Sequence, residues 1–137
     1  MAPDLVRVVV ADVAVAVPAG MGVEAGQVTL AELDAPYRRI SMFIGQPEAR
    51  AIRTAWRNEV PPRPTTWDLF VSTVSLLGGR VERAVIDDVE EARHFFAQIS
   101  LRRHDGERLV ITARPSDAIA LALRSDGARI LCRSEVL

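Results

Sequence analysis

Apolar residues along this chain first recur with a period of two, then with a period near 3.6, and then with a period of two again. Residues 5–17, Leu-Val-Arg-Val-Val-Val-Ala-Asp-Val-Ala-Val-Ala-Val, are dense in valine, whose branched side chain suits a pleated surface. They predict one long strand, or two separated by a bulge near Ala11–Asp12, ended by Pro18–Gly22. Residues 28–33 and 37–44 predict two more strands, turned around Asp34–Pro36.

The helical period begins at Pro47, a residue suited to a first helical position. Ala49, Ile52 and Trp56 then make one apolar stripe, with Ala55 beside it and Arg50, Arg53 and Arg57 on the neighbouring stripe. Those arginines read as a solvated face, with phosphate contact as the alternative. Pro61, Pro62 and Pro64 stop the helix in a stiff, extended connector. Thr65 or Thr66 can cap a second helix, and Thr65 with Asp68 forms a capping-box pattern with aspartate in the glutamate position. Leu69, Phe70, Val74 and Leu77 predict a broad buried face that ends at Gly78–Gly79.

Residues 80–89 and 92–103 predict an antiparallel pair, with Phe95, Ala97, Ile99 and Leu101 alternating and Phe96 breaking the pattern. Asp105–Gly106 is a hairpin signal leading into 108–113, where Leu109, Ile111 and Ala113 alternate. A third helix is expected over about 116–124, an exit at Gly127, and a last strand over 128–132. No regular βαβ repeat is present, so the fold class is α+β. We expect one compact domain over 1–137, with a mixed or largely antiparallel sheet and three helices.

Composition narrows the function. Hydrophobic residues make up 49% against 26% charged, which excludes a disordered chain. Seventeen basic residues, all arginine, face 18 acidic ones, so the net charge of -1 offers no global attraction to phosphate and leaves only a local basic patch open. Cys132 is the single cysteine, which rules out an intrachain disulfide and reads as a buried thiol. Asp4, Arg7 and Asp12 interrupt the N-terminal apolar run, and no stretch reaches membrane-spanning length; the expectation is a soluble cytoplasmic protein without a membrane partner.

Chemistry concentrates at residues 113–123, where a strand end meets an apolar helix through Arg114, Pro115, Ser116 and Asp117. Ser116 is expected to cap the helix, and Asp117 places negative charge at the favourable end of its dipole. Capping alone accounts for both side chains. No His-x-x-x-His, paired cysteine or calcium-loop spacing occurs, and Asp87, Asp88, Glu90 and Glu91 read as a solvated hairpin rim.

Three motifs in order carry a family resemblance over roughly residues 5–137. They are Ile44-Gly45-Gln46-Pro47-Glu48-Ala49, Pro62-Arg63-Pro64-Thr65-Thr66-Trp67-Asp68-Leu69, and Ala113 through Arg124. Together they resemble the bifunctional nuclease domain family of small bacterial proteins, also found within plant proteins. Two positions depart from its pattern: Trp67 stands at the usual histidine, and Ser134 at the first glutamate of a closing Glu-Glu-Val-Leu. If that histidine is a general base, this chain lacks it, because an indole accepts no proton in the required range. If the position caps or packs, tryptophan serves.

The resemblance implies cleavage of DNA and RNA phosphodiester bonds. Glu48, Asp68 and Asp117 would hold Mg²⁺ or Mn²⁺ or activate water, while Arg63, Arg114 and Ser116 would bind substrate. The alternative is a non-catalytic binding or regulatory domain working through protein partners, in which the same residues cap helices and bridge elements. His94 and His104 lie outside the three motifs. A valine-rich strand in an extended sheet also predicts a homo-oligomer that covers apolar edges or faces.

Overall fold

The computed structural model describes residues 4–91 and 94–137. Strands β1 (Leu5–Pro18), β2 (Glu24–Glu32) and β3 (Arg39–Ile44) precede helices α1 (Gln46–Trp56) and α2 (Thr66–Leu76). Strands β4 (Arg80–Glu90), β5 (His94–Arg102) and β6 (Arg108–Ala113) follow, then helix α3 (Pro115–Leu123), strand β7 (Arg129–Arg133) and a 3-10 turn over Ser134–Val136. The strands form one seven-stranded sheet in the order β3-β2-β1-β7-β4-β5-β6. Neighbours are antiparallel except β4 and β7. The architecture is α+β in a single compact domain, as the patterning predicts.

Register places the apolar side chains on one face. Val8 lies opposite Ile130, Val10 opposite Leu30, Val28 opposite Met42 and Ile86 opposite Ala97, and all of them are buried. Helices α1 and α3 cover this face with Ala49, Ile52, Ala118, Ile119 and Leu121. A register shift between Val10 and Asp12 gives the expected bulge, which keeps Val13 on the buried side of β1. Phe96 projects from the opposite face and is exposed. The first two residues of the strand expected over 92–103 lie outside the described residues.

Strand β2 begins at Glu24, earlier than position 28, because Gly26 lies inside it. A Cβ on Gly26 would meet the Ala49 methyl, so glycine here permits a close approach of α1 to the sheet. Helix α2 departs further from expectation. Its caps hold: the Thr65 hydroxyl accepts from the Asp68 amide, and the Asp68 carboxylate accepts from the Thr65 amide at 2.7 Å. The broad buried face expected of Leu69, Phe70, Val74 and Leu77 does not form, and α2 contains no fully buried residue. Only Trp67 and Val71, one turn apart, pack against the core, because the helix lies at the rim of the sheet and touches α3 and β4 on a single narrow stripe. Leu69, Leu76 and Leu77 remain exposed.

The short edge strand β6 differs in the same way. Leu109 and Ile111, expected to alternate along the strand with Ala113, are 40% and 43% exposed, since among the described residues nothing pairs with or covers the outer side of β6. Among the described residues, no helix is long and apolar enough to cross a membrane.

Candidate functional site

A cleft of about 560 Å³ opens between the start of α2 and the outer strands. Phe70, Ile99, Ile111 and Leu121 contribute apolar lining, and Glu48, Trp67, Arg114 and Asp117 bring polar groups to it. Three separate segments converge here: the first turn of α1, the first turn of α2, and the β6–α3 junction.

Each polar residue is placed by a helix start. Glu48 sits in the first turn of α1 and folds back over Gly45, where a side chain would collide with its carboxylate. Gly45 therefore leaves room for the Glu48 head group. Arg114 is the N-cap residue of α3, Pro115 opens the helix, and Asp117 lies in its first turn, where negative charge is favoured by the dipole.

The groups form one hydrogen-bonded cluster. Arg114 Nε donates to Asp117 Oδ2 at 2.8 Å, and its Nη2 donates to Asp117 Oδ1 and to Glu48 Oε1, both at 3.3 Å. Trp67 Nε1 donates to Asp117 Oδ1 at 3.0 Å. Asp117 is thus held from two sides, while Glu48 has a single long contact. The Asp117 carboxylate, and less strongly that of Glu48, raises the Arg114 pKa above its ordinary value. Arg114 nevertheless remains 65% exposed and able to meet a ligand.

Asp68 is not part of this cluster. Its Oδ2 accepts from the Thr65 amide and hydroxyl, and its Oδ1 accepts from Arg124 Nε at 3.0 Å. Arg124 is only 8% exposed and also donates to the backbone carbonyls of Ala120 and Ala51. The pair therefore ties α2 to α3 and α1. The Thr65 amide, followed by the Thr65 hydroxyl and Arg124, holds the Asp68 carboxyl below the usual carboxylate range against the opposing effect of burial.

Ser116 does not cap α3. Pro115 takes the first helical position, so Ser116 already lies inside the helix, 5% exposed, and the N-cap position belongs to Arg114. It borders a second cavity with Phe43, Phe95 and Phe96, which shares Arg114 with the cleft but contains neither Glu48 nor Asp117. Arg63 is exposed on the connector before α2 and is not among the residues lining the cleft. Asp88, Glu90 and Glu91 are exposed at the end of β4, as expected of a solvated rim, whereas Asp87 is half-buried.

The resemblance implies magnesium or manganese, and the donor set tests that implication. Among the described residues, no three His, Cys, Asp or Glu side chains group to hold a metal ion. Asp68 is committed to its cap and to Arg124, and the guanidinium of Arg114 bridges Glu48 and Asp117. As arranged, these residues do not fit a resident divalent cation.

Reading residues one at a time missed Trp67 as a site residue. It stands where the resemblance expects a histidine, and its indole N–H supplies the hydrogen bond that orients Asp117. The signal was the substitution itself: a residue with one donor and no acceptor suits a place that faces a carboxylate.

Two curated relatives, the uncharacterized proteins MT1877 of Mycobacterium tuberculosis strain CDC 1551 / Oshkosh and Rv1829 of strain H37Rv, are each 37% identical over 87 residues. The match covers 64% of this chain and 50% of each relative, so the chain matches about half the length of either one. The profile of the Bifunctional nuclease domain matches residues 28–137, a span that holds the cleft, the Glu48–Arg114–Asp117 cluster and all three helices, and the chain belongs to that family.

Proposed function

We propose that this cleft binds nucleic acid and cleaves its phosphodiester bonds, with the reacting phosphate at the Glu48–Arg114–Asp117 cluster. One observation carries the reading: a carboxylate from the start of α1 joins the exposed arginine and the carboxylate of the β6–α3 junction at a cleft that also offers aromatic and aliphatic surface. Arg114 is the phosphate ligand, since a planar guanidinium matches two phosphate oxygens and stabilises charge that builds on them during attack. Glu48, more loosely held than Asp117, accepts a proton from the attacking water. Asp117 fixes the guanidinium, and Trp67 fixes Asp117. Trp67 and Phe70 offer ring surface against which a base can stack, so unpaired strands are the favoured substrate.

Two carboxylates against one guanidinium leave the cluster with a formal charge of about -1, which opposes an anionic ligand at long range. Affinity on this reading comes from contact with Arg114 and from stacking. Binding should therefore be weak and depend little on salt, with log K falling by about one unit or less per decade of salt. A fluorescence titration of single-stranded RNA and DNA measures that slope.

The cleavage test uses purified wild-type protein on single-stranded RNA and DNA with magnesium, manganese or chelator, beside Glu48→Gln. The proposal expects cleavage that falls at least about tenfold in the variant, and the chelator arm decides whether a cation takes part. A second reading is favoured by the mutual satisfaction of the polar groups: a ligand-binding domain without catalysis. Binding lost in Arg114→Ala, with no cleavage by wild type in any arm, would select it.

A further inference from the structure

We infer that the cavity bordered by Ser116 takes a second nucleobase, so that the site grips one dinucleotide step, with its phosphate at Arg114 and a base on either side. This rests on the reading of the cleft as a nucleic-acid site and names the stretch of strand that the site holds.

The cavity measures about 440 Å³, within the range of small-molecule sites. Met42, Phe43 and Ile44 of β3 line it together with His94, Phe95 and Phe96 of β5. Four strands separate β3 from β5 in the sheet, which therefore curls until both border the same space. Strand β6 pairs with β5 from Ala97 onward, so residues 94–96 run past its end and leave the space open toward the β6–α3 junction. That junction divides the cavity from the cleft. Asp117 lines the cleft, Pro115 and Ser116 line the cavity, and among the described residues Arg114 alone lines both.

Aromatic surface therefore lies on each side of one guanidinium: Trp67 and Phe70 in the cleft, and the three phenylalanines in the cavity. Phe43 is 56% exposed and Phe96 42%, which leaves ring surface free for stacking. The cavity lining carries no carboxylate, whereas the cleft has Glu48 and Asp117. A base entering the cavity meets rings and the Ser116 hydroxyl, which can donate to or accept from a base edge. A single aromatic side chain of a peptide would suit the same rings. A nucleic-acid strand is favoured because it alternates flat bases with phosphates, and the protein presents rings, a guanidinium and rings again. Stacking accepts every base, so the grip should depend on strand length more than on sequence.

Competition binding with the full chain in chelator tests the inference, using a fluorescein-labelled single-stranded DNA octamer as the probe. Wild type should bind the octamer, and Phe43→Ala and Phe96→Ala should each weaken binding by about fivefold or more while keeping the wild-type circular dichroism spectrum. Unlabelled dinucleoside monophosphate should displace the octamer from wild type at a concentration at least about fivefold lower than deoxyadenosine bearing a methyl phosphate at either end of its sugar. Each of those mononucleotides keeps the diester charge but fills only one side of Arg114. In the phenylalanine variants the preference should shrink toward equality, whereas a general structural loss would weaken all competitors alike. Equal displacement by the dinucleotide and both mononucleotides, or wild-type octamer binding by both variants, would overturn the second base site; loss of binding in Arg114→Ala would then leave the cleft reading standing. A wild type that binds no octamer would overturn both.

Discussion

Arg114 and Arg124 flank the same helix, and their surroundings separate two kinds of acidic residue. Arg114 is largely exposed and shares its donors between Asp117 and Glu48, whereas Arg124 is nearly buried and locks Asp68 to three helices. Asp68→Ala removes one side of a capping box and leaves a buried guanidinium without its carboxylate. We expect a loss of about 2 kcal/mol, tempered by the partial exposure of Asp68 and read from a lower midpoint in chemical denaturation. Trp67→Phe keeps the ring but drops the hydrogen bond to Asp117, at a cost of about 1 kcal/mol. Trp67→His restores a donor and should recover part of that loss; equal stability of the two variants would remove the orienting role of the indole.

Legibility at this scale depended on whether a residue's partner was near in sequence. The Thr65–Asp68 cap was readable because its spacing is local. The Asp68–Arg124 bond, 56 residues apart, was not, and neither was the convergence of Glu48 on Arg114. Ser116 misled for a different reason: proline before it moved the helix start forward by one position.

Among the elements, strands were read more faithfully than the outer helix. The valine-rich run of β1 and the alternation of β2 match their burial, since one face of each strand packs on helices. For α2, apolar content does not translate into burial, and period alone cannot say that a helix sits at a rim. Gly26, which lies before the strand start expected at residue 28, belongs to β2 because its partner Ala49 lies on another element. Gly26→Ala should cost about 1–3 kcal/mol by forcing α1 away from β2, while Leu76→Ser on the exposed side of α2 should change stability by no more than about 0.5 kcal/mol.

The β4–β5–β6 layer carries its own pH dependence. Arg108, and then Arg102, depress the Glu82 carboxyl to about 2 from an ordinary 4.5. A carboxylate with a lowered folded pKa binds fewer protons when folded than when unfolded. Its contribution is complete above pH 4.5 and disappears as the pH falls toward 2. Denaturation midpoints should therefore decline across that window, and Glu82→Gln should flatten the decline. An unchanged slope in the variant would remove Glu82 from the account.

For the whole molecule, fold class, the mixed sheet and three helices followed from pattern, but sheet order did not, because β7 enters between β1 and β4 through contacts distant in sequence. That insertion buries Cys132, and loss of solvation pushes its thiol up to about 11. Native protein should resist thiol alkylation at neutral pH and react once unfolded.

The central claim is that chemistry lies at Glu48, Arg114 and Asp117, while Asp68 serves the architecture. The most direct measurement is the cleavage rate of single-stranded nucleic acid by Glu48→Gln and Asp68→Asn, each corrected for folded fraction by circular dichroism. The account predicts a fall of at least about tenfold for Glu48→Gln and a rate within about threefold of wild type for Asp68→Asn. Equal losses in both, or full activity in Glu48→Gln, would contradict it.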